Sequence, residues 1–115
     1  MKMKIRENRR RTRNLIRVAN RQANALRWSA GETDDHILMK FQICKQLKKW
    51  GHEFYTEAIF ESTGLRADII DADEMLIYEI VGTEGEASML KKQKDYPLEV
   101  RFVRADEAFR QELLL

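Results

Sequence analysis

A single cysteine, Cys44, excludes an intrachain disulfide framework and any cysteine cluster for zinc. Two histidines, His36 and His52, are too few for a histidine-rich metal site. One proline and five glycines leave little material for a flexible linker, and no internal repeat or low-complexity stretch is visible. No apolar run approaches the roughly 18–20 residues of a membrane span. The N-terminus is arginine-rich with no apolar stretch behind it, so a signal peptide is not expected either. These absences predict a soluble, cytoplasmic or otherwise intracellular protein with no membrane partner.

What is present is unevenly spread. The 115 residues are 43% hydrophobic and 35% charged, enough for one domain with a small core. The formal net charge of +2 conceals an asymmetry. Residues 1–27 carry ten Lys/Arg, eight of them Arg, against one acid, Glu7. The remainder carries eleven basic and eighteen acidic residues. A basic arm over 1–30 attached to a domain over 31–115 is the organisation this predicts. Arginine forks onto phosphate oxygens, so Arg9, Arg10, Arg11, Arg13, Arg17 and Arg21 are candidate nucleic-acid contacts. The alternatives are a solubilising tail, or an arm that pairs with its own acidic body. Leu15, Ile16, Val18, Ala19, Ala23 and Leu26 recur near helical spacing, so the second half of the arm is a candidate helix.

In the body, Thr33 is a suitable N-cap, followed by Asp34 and Asp35 in the first turn. The helix should run to about Trp50 and stop at Gly51. Ile37, Phe41, Cys44 and Leu47 would form its core stripe, flanked by Ile43 and Trp50, with Lys40 towards water. Strands follow over 52–61, 65–71 and 75–81, the last apolar on both faces and therefore central. A helix over 87–96 ends before Pro97, a fourth strand spans 98–104, and a last helix covers 105–114.

Glu79 interrupts the apolar face of the third strand, where an unpaired carboxylate is costly to bury. A two-residue turn at Asp73-Glu74 puts Asp68 directly opposite it, and a shifted turn leaves the two as diagonal neighbours. Two carboxylates so close repel unless a cation lies between them, and an all-oxygen site suits Mg²⁺ or Mn²⁺. Arg66, two residues along the same face, is the alternative neutralising group.

The stretch "GHEFYTEAIFESTGLRADIIDADEMLIYEIV" and the element order over roughly 33–104 resemble the PD-(D/E)XK nuclease superfamily, in the small form of Holliday junction resolvases and related archaeal and viral nucleases. The resemblance implies an α/β (α+β) restriction-endonuclease-like core, α-β-β-β-α-β, with a mixed central sheet. It makes Asp68 of "RADII" and Glu79 of "YEIV" the catalytic acids. With the main-chain carbonyl of Ile80 they would hold Mg²⁺, which activates water for phosphodiester cleavage. Glu57 of "YTEA" matches an additional strand-one acid, although its face also carries Glu53 and Glu61, as a solvated face does. The family lysine should stand at position 81, where this sequence has Val81. In some members it has moved to the following helix, which here offers Lys91, Lys92 and Lys94. Lys92 shares a helical face with Tyr96 and is the candidate displaced cation; the alternative is three surface lysines. His36, near the N-cap, could reach substrate phosphate or the catalytic water, or lie idle at the surface.

The function expected is a Mg²⁺-dependent DNA endonuclease, with branched or junction DNA as a candidate substrate and a homodimer needed to cut two strands of a junction. The alternatives are a catalytically inactive nuclease-fold binding protein that uses its arginine arm, and an RNA-binding or assembly factor with no metal site. A virus acting inside its host cell would fit either of the first two.

Overall fold

The alternating patterns downstream of Gly51 form a four-stranded sheet in the computed structural model, which describes residues 3–83 and 85–115. Its strands are β1 (Phe54–Ile59), β2 (Arg66–Asp71), β3 (Leu76–Val81) and β4 (Glu99–Arg104), adjacent in that order. The first three are antiparallel neighbours, and β4 runs parallel to β3. A parallel pair needs a crossover, which the segment containing α3 (Glu86–Asp95) supplies. Two further helices, α1 (Met3–Leu15) and α2 (Asp34–Lys49), complete an α+β fold with a mixed sheet. Every residue of β3 is buried, as a central strand requires.

Helix α2 starts and stops where its sequence says. The Thr33 side chain accepts from the His36 amide, and Gly51 adopts φ +75 beyond the last turn. Its buried face differs from the predicted stripe. Met39, Lys40, Ile43, Cys44 and Leu47 are buried, whereas Phe41 is 47% exposed and Ile37 half-buried. The helix is rotated because Lys40 turns inward to acidic partners, as described below. Cys44 is an inert core residue, its thiol pushed up to about 12 by burial.

The core has two layers. Met39, Ile43, Leu47, Ile69, Tyr78 and Val103 pack between α2 and the sheet. Ile16, Tyr55, Phe60, Ile70, Ile77 and Val100 cluster on the opposite face.

The basic segment folds back onto the body. Helix α1 ends at Leu15, and the stretch predicted to be helical beyond it instead lines the outer edge of β1. Ile16 bridges Phe60, the Arg17 amide donates to Ile59 O, and the Asn20 and Asn24 side chains accept from the Ile59 and Phe54 amides. An open strand edge offers unpaired amides, and satisfying them outcompetes a helix with a thin apolar stripe. The Cα radius of gyration of 13.4 Å is that of a compact chain of this length, about 13 Å. The last predicted helix is reduced to a 3₁₀ turn, Gln111–Leu114. Ten residues are marginal as a helix alone, and the Leu114 carbonyl is instead held by the Tyr78 hydroxyl and the Arg101 guanidinium.

Candidate metal centre

Strands β2 and β3 are paired through Asp71↔Leu76, Ile70↔Ile77 and Ile69↔Tyr78. The same register sets Asp68 opposite Glu79, as a turn centred on Asp73-Glu74 predicts. The Asp71 carboxylate fixes that turn by accepting from the Asp73 and Glu74 amides. Beyond Ile69 and Tyr78 the ladder changes character. The Asp68 amide donates to Glu79 Oε2 at 2.8 Å, and the Ile80 amide donates to Asp68 Oδ2 at 2.8 Å. Side-chain carboxylates thus take these two amides where the pairing of β2 and β3 ends, and the bonds hold both acids at the opening.

Strand β1 contributes the third acid of the row. Glu57 lies between the paired positions Thr56↔Ile69 and Ala58↔Ala67, level with Asp68. It has φ 52, a left-handed conformation that costs of order 1–3 kcal/mol for a residue with a side chain. The break in alternation turns Glu57 towards α2, where Lys40 Nζ donates to its Oε1 at 2.6 Å. Lys40 is fully buried and also meets Glu32 Oε1 at 2.6 Å and the Arg27 carbonyl at 3.0 Å. Its expected place in water is thus corrected: two carboxylates and a carbonyl replace the lost hydration. Burial pushes the Lys40 ammonium down, but Glu32 and Glu57 outweigh it and hold it above the ordinary value.

His36, one turn before Lys40, points into the opening between β2 and β3. Its Nε2 lies 3.2 Å from the Ile80 carbonyl oxygen and 3.4 Å from Asp68 Oδ2, and its Nδ1 lies 2.5 Å from Glu32 Oε1. The Asp68 carboxylate, followed by Glu32, raises the imidazole above its usual range against the effect of burial. Burial acts to raise Asp68, but His36 and the Ile80 amide prevail and hold it below the ordinary carboxylate value. Glu32 Oε1 and His36 Nδ1 are buried with no hydrogen bond of good geometry. Among the described residues, Glu32, His36 and Asp68 each offer a ligand atom within 4.8 Å of the others, a group able to hold a metal ion. The Ile80 carbonyl adds a further oxygen, 3.2 Å from His36 Nε2.

Glu79 faces α3 with its other oxygen. The Tyr96 hydroxyl donates to Glu79 Oε1 at 3.0 Å and lies 2.7 Å from the Arg66 carbonyl, while Lys92 Nζ is 3.6 Å from the same carboxylate oxygen. Burial and the Asp68 charge push the Glu79 carboxyl up to about 7, against the Asp68 amide, Lys92 and Tyr96. The sign for stability follows. Between 4.5 and about 7 the folded protein holds this proton and the unfolded chain does not, so Glu79 lowers stability as pH rises through that window. We expect Glu79→Gln, compared with the parent in chelator, to melt higher at pH 8 and to flatten the decline between pH 5 and 8. A Glu79 kept for a structural ion pair with Lys92 predicts a lower melting temperature instead.

The sequence-predicted residues therefore separate. His36 and the Ile80 carbonyl meet at Asp68 on the α2 side, Lys92 meets Glu79 on the α3 side, and the Asp68 amide joins the two acids, while Glu57 borders them through Lys40. Arg66 pairs with Glu57 Oε2 at 3.6 Å rather than with Asp68. Lys91 and Lys94 are exposed. Val81 is buried at 3% exposure, an apolar side chain in the place the resemblance gives the lysine. Along the basic segment, Arg9 is bonded to Asp73 at 2.6 and 2.9 Å and to the Gly51 carbonyl. Arg13 bonds the Tyr55 hydroxyl and Glu53, and Arg21 bonds the Ile16 carbonyl. Arg10, Arg11 and Arg17 stay exposed, as does Arg6, with only long contacts from Arg10 and Arg11 to Glu7 and from Arg17 to Glu61. Pairing with the acidic body thus accounts for Arg9 and Arg13, a backbone carbonyl for the half-buried Arg21, and a solvent-facing basic surface for Arg6, Arg10, Arg11 and Arg17. Sequence reasoning missed Glu32 and Lys40. The local signal for both was spacing, since Glu32 lies four residues before His36 and Lys40 four after it. No protein-family model, curated protein or solved structure matches the chain.

Proposed function

We propose that this chain is a divalent-cation-dependent nuclease of the PD-(D/E)XK kind that hydrolyses phosphodiester bonds in DNA. The observation that carries the proposal is the opening between β2 and β3. There Asp68 and Glu79 exchange bonds with each other's strands while the Ile80 carbonyl and His36 Nε2 converge beside Asp68. A structural ion pair needs no such expenditure of sheet hydrogen bonds, nor a carboxyl pushed up to about 7.

Asp68, the Ile80 carbonyl and His36 would hold the ion, with Glu32 beside the imidazole's far nitrogen and Glu79, bonded to the Asp68 amide, as the acid that would turn to it on binding. The imidazole makes Mn²⁺ a better guest than in an all-oxygen site, with Mg²⁺ still admissible. Such an ion supplies Lewis acidity towards a phosphoryl oxygen and lowers the pKa of water. Lys92, partly exposed beside Glu79, offers positive charge to the phosphate as negative charge develops in the transition state. Lys40, fully buried, positions Glu57 and Glu32 and touches no substrate. The exposed arginines of α1 supply phosphate contacts. Among the described residues no helix is long and apolar enough to cross a membrane.

The test is a cleavage assay on labelled linear, single-stranded, flapped and four-way-junction DNA and on single-stranded RNA, with Mn²⁺, Mg²⁺ or chelator. Melting with each ion is recorded in parallel. Cutting that needs the ion, with a higher melting temperature in Mn²⁺, is expected. Binding without cutting under any condition would favour the silent nuclease fold, for which the buried apolar Val81 speaks.

The arm is tested separately. Replacing Arg6, Arg10 and Arg11 together with alanine should weaken duplex binding and reduce the slope of log affinity against log salt by roughly 0.9 for each phosphate that is no longer neutralised. Arg9→Ala should instead cost roughly 1.5–3 kcal/mol of stability, because Asp73, 4% exposed, loses its charged partner.

A further inference from the structure

The outer face of α2 takes no part in the site. Positions 34, 38, 41, 45 and 48 follow at alternating spacings of four and three, the seam of a two-helix contact, and all five are exposed. The middle of the seam is apolar: Leu38 is 55% and Phe41 47% exposed. Leu26, Trp28, Asp34, Ile37, Leu38 and Phe41 line an open groove of about 380 Å³ alongside it. The two ends carry opposite charge, Asp34 at the N-terminal end and Lys45 and Lys48 at the C-terminal end.

We propose that this seam is the contact surface for a second copy of the chain, packed antiparallel across a two-fold axis. With the axis between residues 39 and 40, Leu38 of one protomer packs on Phe41 of the partner subunit, and Phe41 on Leu38 of the partner subunit. In the same register Asp34 meets Lys45 of the partner subunit, and the reverse pair forms at the other end. The surface is therefore self-complementary in charge and in the placement of its apolar residues, as an isologous contact must be. A parallel copy would set Asp34 against Asp34 of the partner subunit and Lys45 against Lys45 of the partner subunit, and like charges exclude it. His36, Lys40, Ile43 and Leu47 lie on the opposite side of the helix, so the association leaves the candidate metal centre open. A seam one helix wide buries less than the roughly 800 Å² per partner of a standard interface, so micromolar rather than nanomolar association is expected.

Sedimentation equilibrium on the full chain over a dilution series tests the proposal. The mass should rise from 13.6 kDa towards twice that value with concentration. Phe41→Asp should weaken dimerisation at least about tenfold without loss of helicity, since the site is already exposed. Asp34→Lys and Lys45→Asp should each weaken it, and the double exchange should restore it, because each ion pair is re-formed with its signs reversed. A monomer at every concentration, or a dimer indifferent to Phe41→Asp, overturns the proposal. Failure of the double exchange to restore the dimer overturns the antiparallel register.

Discussion

Asp68→Asn is expected to reduce cation-dependent cleavage by at least about three orders of magnitude while the fold persists. Asparagine retains an oxygen to accept from the Ile80 amide, the bond that Asp68 Oδ2 makes at 2.8 Å. The strand opening therefore survives, and the change is confined to charge. What disappears is the negative charge that Asp68 would turn to the proposed ion, together with the partner of His36. Binding to nucleic acid in chelator should be unchanged or slightly tighter, because a buried anion no longer faces the phosphates. Stabilisation by Mn²⁺, read as a melting shift, should vanish together with cleavage. A protein in which Asp68 serves only the sheet would keep both cleavage and the Mn²⁺ shift.

The largest stability effect is expected at Lys40. Lys40→Met removes the cation that Glu32, Glu57 and the Arg27 carbonyl share, at a position with no exposure to water. Breaking a buried ion pair from one side costs about 3–5 kcal/mol, because the remaining carboxylates stay buried without compensation. A domain of this size has only about 5–15 kcal/mol in all. The melting temperature should fall by roughly 10–25 °C. Adding Glu32→Gln and Glu57→Gln to Lys40→Met should recover much of the loss, since the cost lies in the stranded charges more than in the missing attraction. The cluster also sets the acid limit. Burial acts to raise Glu32, yet Lys40 and the Ser29 amide hold it below its unfolded value of 4.5. Its contribution is therefore complete above that pH and fades as pH falls through the lower folded value. Lys40 has the opposite sense. Its folded value lies above 10.5, so its contribution is present throughout neutral pH and is lost only in strong alkali.

Glu79 sets the two demands against each other. A carboxyl pushed up to about 7 lowers the stability of the cation-free protein at neutral pH, and the proposed ion reverses that by favouring the charged form. The Glu79→Gln variant should then be the more stable protein and the inactive one, a trade-off seen where strain is kept for chemistry.

Much of the fold was legible in sequence because the relevant forces are local. Thr33 and Gly51 bracket α2 through backbone bonds within a turn of each end. Asp71 and its neighbours form a turn that fixes the β2–β3 register, and a period of two then forces Asp68 opposite Glu79. An acid inside the apolar run of β3 was visible as a cost requiring a partner; helical spacing put Lys92 and Tyr96 on one face, and only the resemblance turned that face towards the acid. Tertiary structure decided what depends on distant partners. The end of α1 at Leu15 depends on the open edge of β1, far along the chain, whose amides take the bonds a longer helix would have kept inside itself. The rotation of α2 depends on Glu32 and Glu57 drawing Lys40 inward, which places His36 at the strand opening and leaves Leu38 and Phe41 outside. The division of the arginines into those bound to the body and those facing solvent likewise depends on where Asp73 and Glu53 lie once the sheet is formed. Charge and spacing in the sequence set which groups need partners. Only the folded chain determines which partner comes within reach, because desolvation makes that choice at distances of a few ångströms, where sequence separation has no bearing.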